Sequence, residues 1–179
     1  MSVSTSFRVG DKVVYPNHGV GVIEHISSRS VGENSQEFYL LRIESSNLRV
    51  MVPFASVDSV GMRAVMPECE LAQILEYLER ADPVVSPSDW KGRFKENSDK
   101  MRTGSVSRMA EVLKGLVQLH QAKPLSFREK KMLDRAVALL STEMASACAL
   151  TPAEALDRVQ AALAKAALVL PPPDSDERQ

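Results

Sequence analysis

A change of hydrophobic period near residues 66–67 divides this chain of 179 residues into two parts that need different secondary structure. Before it, apolar residues alternate with polar residues in short β-branched runs, as in half-buried strands. After it, apolar residues recur three and four positions apart, as in amphipathic helices. The length suffices for two small domains. We therefore predict an α+β protein with a sheet domain over residues 1–66 and a helical domain over residues 67–170.

The first part predicts a small antiparallel sheet of four strands. Turn residues separate the runs, and residues 44–47 have the composition of a hairpin loop. Because the strands and loops are short, the apolar faces are buried only if the sheet curls into an SH3-like or Tudor-like β-barrel. The predicted strands cover residues 11–15, 20–26, 38–43 and 48–54.

Binding to another protein is a better interpretation of this barrel than catalysis. His18 and His25 have no nucleophile or paired carboxylate at a spacing that indicates a catalytic site. A strand edge that carries arginine is instead suited to docking a partner protein. The candidate arginines for such an edge are Arg29, Arg42 and Arg49.

The second part predicts a compact bundle of five α-helices. Ser126 with Glu129 and Thr151 with Glu154 have the spacing of capping boxes, and Gly104 lies where a helix would end in the left-handed conformation. Residues 171–179 are rich in proline and then in charge, so we expect a disordered tail. The predicted helices begin at or just after Glu68, Ser88, Ser105, Ser126 and Thr151.

Trp90 is the only tryptophan of the chain, and it lies at the start of the second predicted helix within a cluster of cations. Residues 91–108 carry six cations and two anions, although the whole chain has a net charge of -1. A flat side chain ringed by lysine and arginine suits a protein that holds phosphates and presses an apolar wedge against a base step. Two other interpretations stay open here: a packing role for Trp90, and a basic helix face that is only solvated.

The sequence carries no signal for a membrane, a metal or a cofactor. No run of eighteen apolar residues is present, and the N-terminus lacks a basic region followed by an apolar one. Cys69 and Cys148 lack the spacing of a zinc site, so they are interpreted as free thiols of a reducing compartment. We expect a cytoplasmic protein that is not an enzyme.

Several segments of the sequence resemble the CarD/CdnL family of bacterial transcription regulators. They are residues 7–21 with residues 50–53, then residues 89–97 around the tryptophan, then residues 125–133. The resemblance runs in order through both parts of the chain, from about residue 7 to about residue 168. Because no Arg-Gly-Arg-Pro element follows, the sequence looks like the stand-alone CdnL type.

The resemblance implies a Tudor-like domain that binds the β subunit of RNA polymerase and a helical domain that contacts promoter DNA. In this family the tryptophan wedges into the minor groove at the upstream edge of the melted bubble. The DNA-contacting residues implied are Trp90, Lys91, Arg93, Lys95 and Lys130. The polymerase-contacting residues implied are Arg29, Arg49, Met51 and Pro53.

Two positions depart from some relatives. Met51 stands where others have arginine, which implies a more apolar polymerase contact. Gly92 stands where others have a basic residue, which lowers the charge offered to DNA. The main alternative function is a protein–protein adaptor without DNA contact, in which Trp90 anchors a protein interface. A monomer is expected.

Overall fold

The computed structural model describes residues 6–31 and 34–173. The chain forms two compact units, of which the first ends at Val65 and the second begins at Met66. The first unit is an antiparallel sheet, and the second consists of helices. The predicted α+β fold class is therefore confirmed.

The sheet of the first unit has the strand order β4-β3-β2-β1-β5, and each neighbouring pair is antiparallel. The sequence pattern predicts neither β5 nor the short helix α1 (Val57–Val60), because such brief elements contain too few residues to show a period. The strands are β1 (Lys12–Tyr15), β2 (Gly19–Val31), β3 (Asn34–Ile43), β4 (Arg49–Pro53) and β5 (Arg63–Ala64).

Strands β2 and β3 extend further than their hydrophobic alternation predicts. Their pairing continues to Val31 and Asn34, through residues that are mostly polar and exposed. We call this extension of the β2–β3 pair the β2–β3 arm. It is held by backbone pairing and has no apolar face, so apolar and polar residues do not alternate along its sequence. The register shifts between Ile23 and His25, which places the extra residue Glu24 in β2 as a bulge.

Tyr39 lies at the centre of the sheet unit's core. Its ring stacks on Phe54 with the centroids 4.0 Å apart and meets Phe7 edge to face at 5.9 Å. Its hydroxyl accepts a hydrogen bond from the backbone N–H of Phe7 at 3.1 Å, so the polar atom of the ring is satisfied in the interior. The same core includes Val13, Ile23, Leu41, Val52, Val57 and Met62.

The described part of the second unit has five helices, as predicted, and local caps mark several of their ends. Ser126 with Glu129 and Thr151 with Glu154 form complete capping boxes. Gly104, after α3, has a φ of 68°, which is the expected left-handed conformation. The helices are α2 (Glu68–Glu79), α3 (Trp90–Arg102), α4 (Val106–Ala122), α5 (Phe127–Cys148) and α6 (Pro152–Lys165).

The cap of α3 differs from the prediction by one residue. Asp89, not Ser88, is the N-cap, and its carboxylate accepts the backbone N–H of Gly92 at 2.6 Å. A carboxylate accepts this hydrogen bond as serine would, and its charge also suits the positive end of the helix. Trp90 therefore becomes the first residue of the helix.

Helix α3 joins the core of the second unit differently from its neighbours. The other four helices each contribute several apolar side chains to one core. The buried residues of α3 are Arg93, Asn97 and Met101, and only Met101 belongs to that core. Buried polar groups destabilise a fold unless they find partners. The first half of α3 therefore depends on polar contacts.

In the described residues, no single helix is long and apolar enough to cross a membrane. Helices α5 and α6 meet such a test only as a pair, with a bend of 113° between them, and their apolar faces form the core. Of the tail expected to be disordered, residues 171–173 contain no helix or strand, and residues 174–179 lie outside the described range.

Candidate functional site

Trp90 lies at the surface of the helical unit with 37% of its area exposed. Its ring stacks on Phe94, one turn later in α3, with the centroids 5.6 Å apart and the planes 19° apart. Its indole Nε1–H donates a hydrogen bond to Ser126 Oγ at 3.1 Å. The indole is therefore fixed at its polar edge and packed against one ring, while part of it stays open to solvent.

A buried ion pair joins the start of α3 to the start of α5. Arg93 and Glu129 are 5% and 3% exposed, and Arg93 Nη2 lies 2.9 Å from Glu129 Oε1. Arg93 Nε donates to the same oxygen at 3.0 Å. Arg93 Nη1 donates to the backbone carbonyls of Pro87 and Ser88. All three guanidinium nitrogens therefore have partners inside the protein.

Ser126 connects this ion pair to the tryptophan. Its hydroxyl donates to Glu129 Oε2 at 2.8 Å, and its oxygen accepts from the indole N–H of Trp90 and from the backbone N–H of Glu129. Burial acts to raise the pKa of Glu129, but the hydrogen bonds from Ser126 and Arg93 and the charge of Arg93 outweigh it and hold the pKa below its usual value. Glu129 is therefore an ionised acceptor at neutral pH.

Cations lie on both helices that hold the tryptophan. Lys91 and Lys95 are exposed on α3, and Lys130 is half-buried on α5. The guanidinium of Arg128, also on α5, lies 6.0 Å from the centroid of the Phe94 ring, within the range of a cation–π contact. This part of the helical unit therefore combines aromatic faces with positive charge.

Other cations of the basic segment are neutralised by carboxylates. Lys100 lies 2.9 Å from Glu96 and 3.2 Å from Glu111. Arg108 also pairs with Glu111, at 3.1 Å. Arg102 lies 3.7 Å from Asp99. With Arg93 included, four of the six cations in residues 91–108 are engaged within the protein, so the net charge of this segment overstates what it offers to a partner.

The structure gives Arg93 partners inside the protein, which argues against its predicted phosphate contact. Its guanidinium is buried, and it could reach a DNA backbone only by leaving Glu129 uncompensated in the interior. We assign Arg93 to holding α3 in place. The remaining DNA-contact candidates, Trp90, Lys91, Lys95 and Lys130, are all at least partly exposed.

Sequence reasoning missed Phe127 and Arg128. Phe127 is the first residue of α5 and is 63% exposed, with Lys131 Nζ 5.4 Å from the centroid of its ring. The signal that could have identified it is the capping box, because the residue after an N-cap lies in the first turn, where few side chains are available to cover it. Phe127 adds a second exposed aromatic ring beside Ser126.

Gly92 has a local reason to be glycine. A Cβ at this position would lie 2.8 Å from Asp89 Oδ1 and 3.2 Å from Pro87 Cβ. A side chain would therefore push aside the carboxylate that caps α3. Glycine at position 92 therefore leaves room for the aspartate cap.

The predicted polymerase-contacting residues share one face of the sheet unit. Side chains alternate between the two faces along a strand, and paired residues share a face. All four candidates pair with even-numbered residues of β3. The core residues Tyr39 and Leu41 are odd-numbered, so they lie on the opposite face of the strand. On this outer face, Arg29, Arg49, Met51 and Pro53 pair with Gln36, Arg42, Leu40 and Phe38.

Three of these four residues lie on β4, which ends the sheet. Among the described residues, no strand pairs with the outer backbone edge of β4. Met51 is 38% exposed at the middle of the strand. Glu24 lies 3.2 Å from Arg49 and 2.8 Å from Arg42, so the bulge in β2 holds both guanidinium groups near the sheet.

Comparison with known proteins identifies the family. Residues 7–66 match the family model CarD-like/TRCF RID domain, and residues 73–160 match the model CarD, C-terminal domain. YdeB of Bacillus subtilis (strain 168) is 37% identical to this chain over 142 residues, and its name describes a candidate transcription factor. The matched region covers 77% of this chain and 90% of YdeB. The chain belongs to the CarD/CdnL family.

A solved structure is also similar to this CarD/CdnL protein. CdnLNt from Myxococcus xanthus is 45% identical and covers 36% of this chain and 90% of its own, with a TM-score of 0.31. The family is a class of transcription regulators and not an enzyme family. The chain is therefore a CarD/CdnL-type transcription regulator, as its sequence predicts.

Replacing Glu129 by glutamine removes the charge that compensates buried Arg93 and should lower the free energy of unfolding by about 3 kcal/mol. The pKa of Glu129 is lowered in the folded state, so its stabilisation is present above its unfolded-state pKa and is lost as the pH falls through its folded-state pKa. Chemical denaturation of both proteins over a pH series should show a difference that is largest near neutral pH and shrinks in acid.

Glu154→Gln is the matched control. Glu154 occupies the same position in the capping box of α6, but that box is exposed to solvent. The control should lose much less stability than Glu129→Gln. Equal losses would mean that Glu129 acts only as a helix cap and would contradict the importance of the ion pair.

Proposed function

We propose that this protein binds the β subunit of RNA polymerase through its sheet unit and stabilises the promoter open complex with Trp90. The observation that carries the proposal is the setting of Trp90, a partly exposed indole fixed at its polar edge and flanked by Lys91 and Lys95. Membership of the CarD/CdnL family supports polymerase as the partner. The protein would act as a cytoplasmic monomer associated with polymerase.

DNA contact by the helical unit is weak and almost independent of sequence. Only a few cations are available, so few counterions are released when phosphates are bound. The indole N–H of Trp90 is already donated to Ser126, which leaves apolar surface for the DNA. Such a surface fits a wedge in the minor groove, where the pattern of hydrogen-bonding groups is degenerate. The helical unit therefore needs another component to bring it to promoters.

Polymerase supplies the position through the sheet unit. The outer face of β4 offers Met51 as an apolar contact beside Arg49, and the outer edge of the strand offers backbone groups for pairing with a strand of the partner. Tethering makes the DNA contact intramolecular, so a weak interaction suffices.

At the junction of duplex and bubble, the tryptophan stabilises one state of the promoter over the other. Its ring stacks on an exposed base step in the open complex and must leave when the duplex re-anneals. Stacking of a base on an aromatic side chain contributes about 1–3 kcal/mol. Bubble collapse would therefore slow about tenfold or somewhat more, at about 1.4 kcal/mol per factor of ten.

A protein–protein adaptor is the second candidate function. It is favoured by two exposed aromatic side chains, Trp90 and Phe127, because such residues often anchor protein interfaces. Photo-crosslinking from a probe at position 91 in a polymerase–promoter complex separates the two functions. Crosslinks to promoter DNA support the wedge, and crosslinks to protein alone support the adaptor.

Met51→Glu in the full chain should weaken binding to the polymerase β subunit by about tenfold or more, because it places a charge at the centre of the outer face. The fold should be unaffected, since Met51 is exposed. Affinity can be measured by titrating labelled protein with polymerase. Trp90→Ala is the control and should bind polymerase as the wild type does; a loss in this control, with none for Met51→Glu, would contradict the assignment of the two units.

Lys95→Ala and Lys130→Ala should each flatten the dependence of DNA affinity on salt by up to about one unit of the log–log slope. Binding of the full chain to a duplex is measured over a series of salt concentrations. Lys165→Ala is the control, because Lys165 lies on α6 and pairs with Glu79. Slopes unchanged from this control would remove Lys95 and Lys130 from the phosphate contacts.

Trp90→Ala should shorten the lifetime of the open complex about tenfold while polymerase binding persists, and Trp90→Phe should give an intermediate lifetime because it keeps a smaller stacking face. Lifetimes are measured with a competitor that traps dissociated polymerase. Because Trp90 is partly exposed, thermal melting should show a loss of stability well below the 3–5 kcal/mol typical of a core tryptophan. A large loss of stability with an unchanged lifetime per folded molecule would return Trp90 to a packing role.

A further inference from the structure

The hydroxyl of Ser126 uses its full hydrogen-bonding capacity at the site. A hydroxyl has one donor and two acceptor positions. The proton goes to Glu129 Oε2 at 2.8 Å, and the two acceptor positions receive the indole N–H of Trp90 at 3.1 Å and the backbone N–H of Glu129 at 3.3 Å. The direction of the hydroxyl is therefore set by its partners and not by free rotation.

Glu129 fixes the hydroxyl, and Arg93 fixes Glu129. One carboxylate oxygen of Glu129 accepts from Arg93, and the other accepts from the hydroxyl and the backbone N–H of Ser126. The carboxylate cannot rotate without breaking contacts on both sides. A continuous series of hydrogen bonds therefore runs from the buried ion pair to the edge of an exposed indole.

The packing around Trp90 leaves part of the residue open to solvent. Phe94 stacks on the indole and is itself only half-buried, and 37% of the area of Trp90 is exposed. Orientation about the two side-chain torsions thus depends on the contact at the polar edge. An exposed aromatic side chain without such a contact samples several rotamers, and ordering it on binding costs free energy.

We propose that Ser126 is a positioning residue for Trp90: its hydroxyl holds the indole in the orientation that docks against the DNA step. The role rests on the proposed function of Trp90 as a wedge and goes beyond it by naming the group that aims the wedge. Ser126 acts through Trp90 and needs no contact with DNA. Its removal should loosen the indole, while the helix that carries the indole stays in place through the Arg93–Glu129 pair.

Ser126→Ala tests this role, with Thr151→Ala as the matched control. Both substitutions remove the hydroxyl of a capping box, so both should lower the melting temperature, and Ser126→Ala should lower it more because its hydroxyl donates to a buried carboxylate. Only Ser126 contacts the indole. Ser126→Thr keeps a hydroxyl and should behave as the wild type.

The single tryptophan of the full chain allows the first measurement. The indole N–H gives one resonance in a nitrogen–proton NMR spectrum. In Ser126→Ala this resonance should shift and exchange faster with solvent, whereas in Ser126→Thr and Thr151→Ala it should stay as in the wild type. An unchanged resonance in Ser126→Ala would overturn the proposal, because the hydrogen bond would then not order the ring.

The second measurement is the lifetime of the open complex with the full chain bound to polymerase. Ser126→Ala should shorten it by about twofold to tenfold, the effect of restoring the ordering cost of one side chain. The same substitution in a Trp90→Ala background should have no further effect, because Ser126 acts only through the indole. Thr151→Ala should leave the lifetime unchanged.

The outcomes separate this proposal from the function on which it rests. If Trp90→Ala shortens the lifetime and Ser126→Ala does not, the positioning role is overturned and the wedge stands. A reduction by Ser126→Ala that persists in the Trp90→Ala background also overturns the role, since Ser126 would then act independently of the indole. If Trp90→Ala itself leaves the lifetime unchanged, the wedge fails and the positioning role fails with it.

Discussion

The guanidinium of Arg93 and the carboxylate of Glu129 lie 2.9 Å apart inside the helical unit, and the position of α3 depends on this contact. The helix buries three side chains, and two of them are polar. An unpaired charge in the interior is strongly destabilising, so the two groups are buried together or not at all. Because the pair spans two helices, the position of α3 is tied to the N-terminal cap of α5.

This coupling lets the fold fix an aromatic side chain without burying it. A buried tryptophan is well ordered but has no surface for a partner, and a fully exposed one is accessible but mobile. Trp90 avoids both extremes, since its polar edge is bound to Ser126 and one ring packs on Phe94. The hydrogen bonds at its polar edge lead to a buried ion pair, while 37% of the residue stays exposed to a partner.

The features that the sequence predicts well are local ones. A capping box is complete within four residues, and a helical or strand period is visible within about two turns or a few alternations, so the order of sheet before helices and most helix starts follow from the sequence. The long β2–β3 arm has no apolar period and escapes this reasoning. The burial of Arg93 is not predicted for a different reason: Arg93 stands between Trp90 and Lys95, as a surface cation would, while its partner lies 36 residues later. One sequence gives no sign of such a distant pairing.

The internal pairing of cations explains why the proposed DNA contact and the proposed polymerase contact are needed together. With four of six cations in residues 91–108 engaged by carboxylates, the proposed interface has Lys91 and Lys95 on α3 and Lys130 on α5 for phosphates. Each phosphate contact adds about 0.9 to the slope of log affinity against log salt concentration. Three such contacts give binding too weak to locate a promoter. A tethered module has a roughly millimolar effective concentration, at which the same contacts suffice to hold the DNA. Their weakness also lets polymerase break them, so a regulator that lengthens the life of the open complex need not hold the enzyme at the promoter.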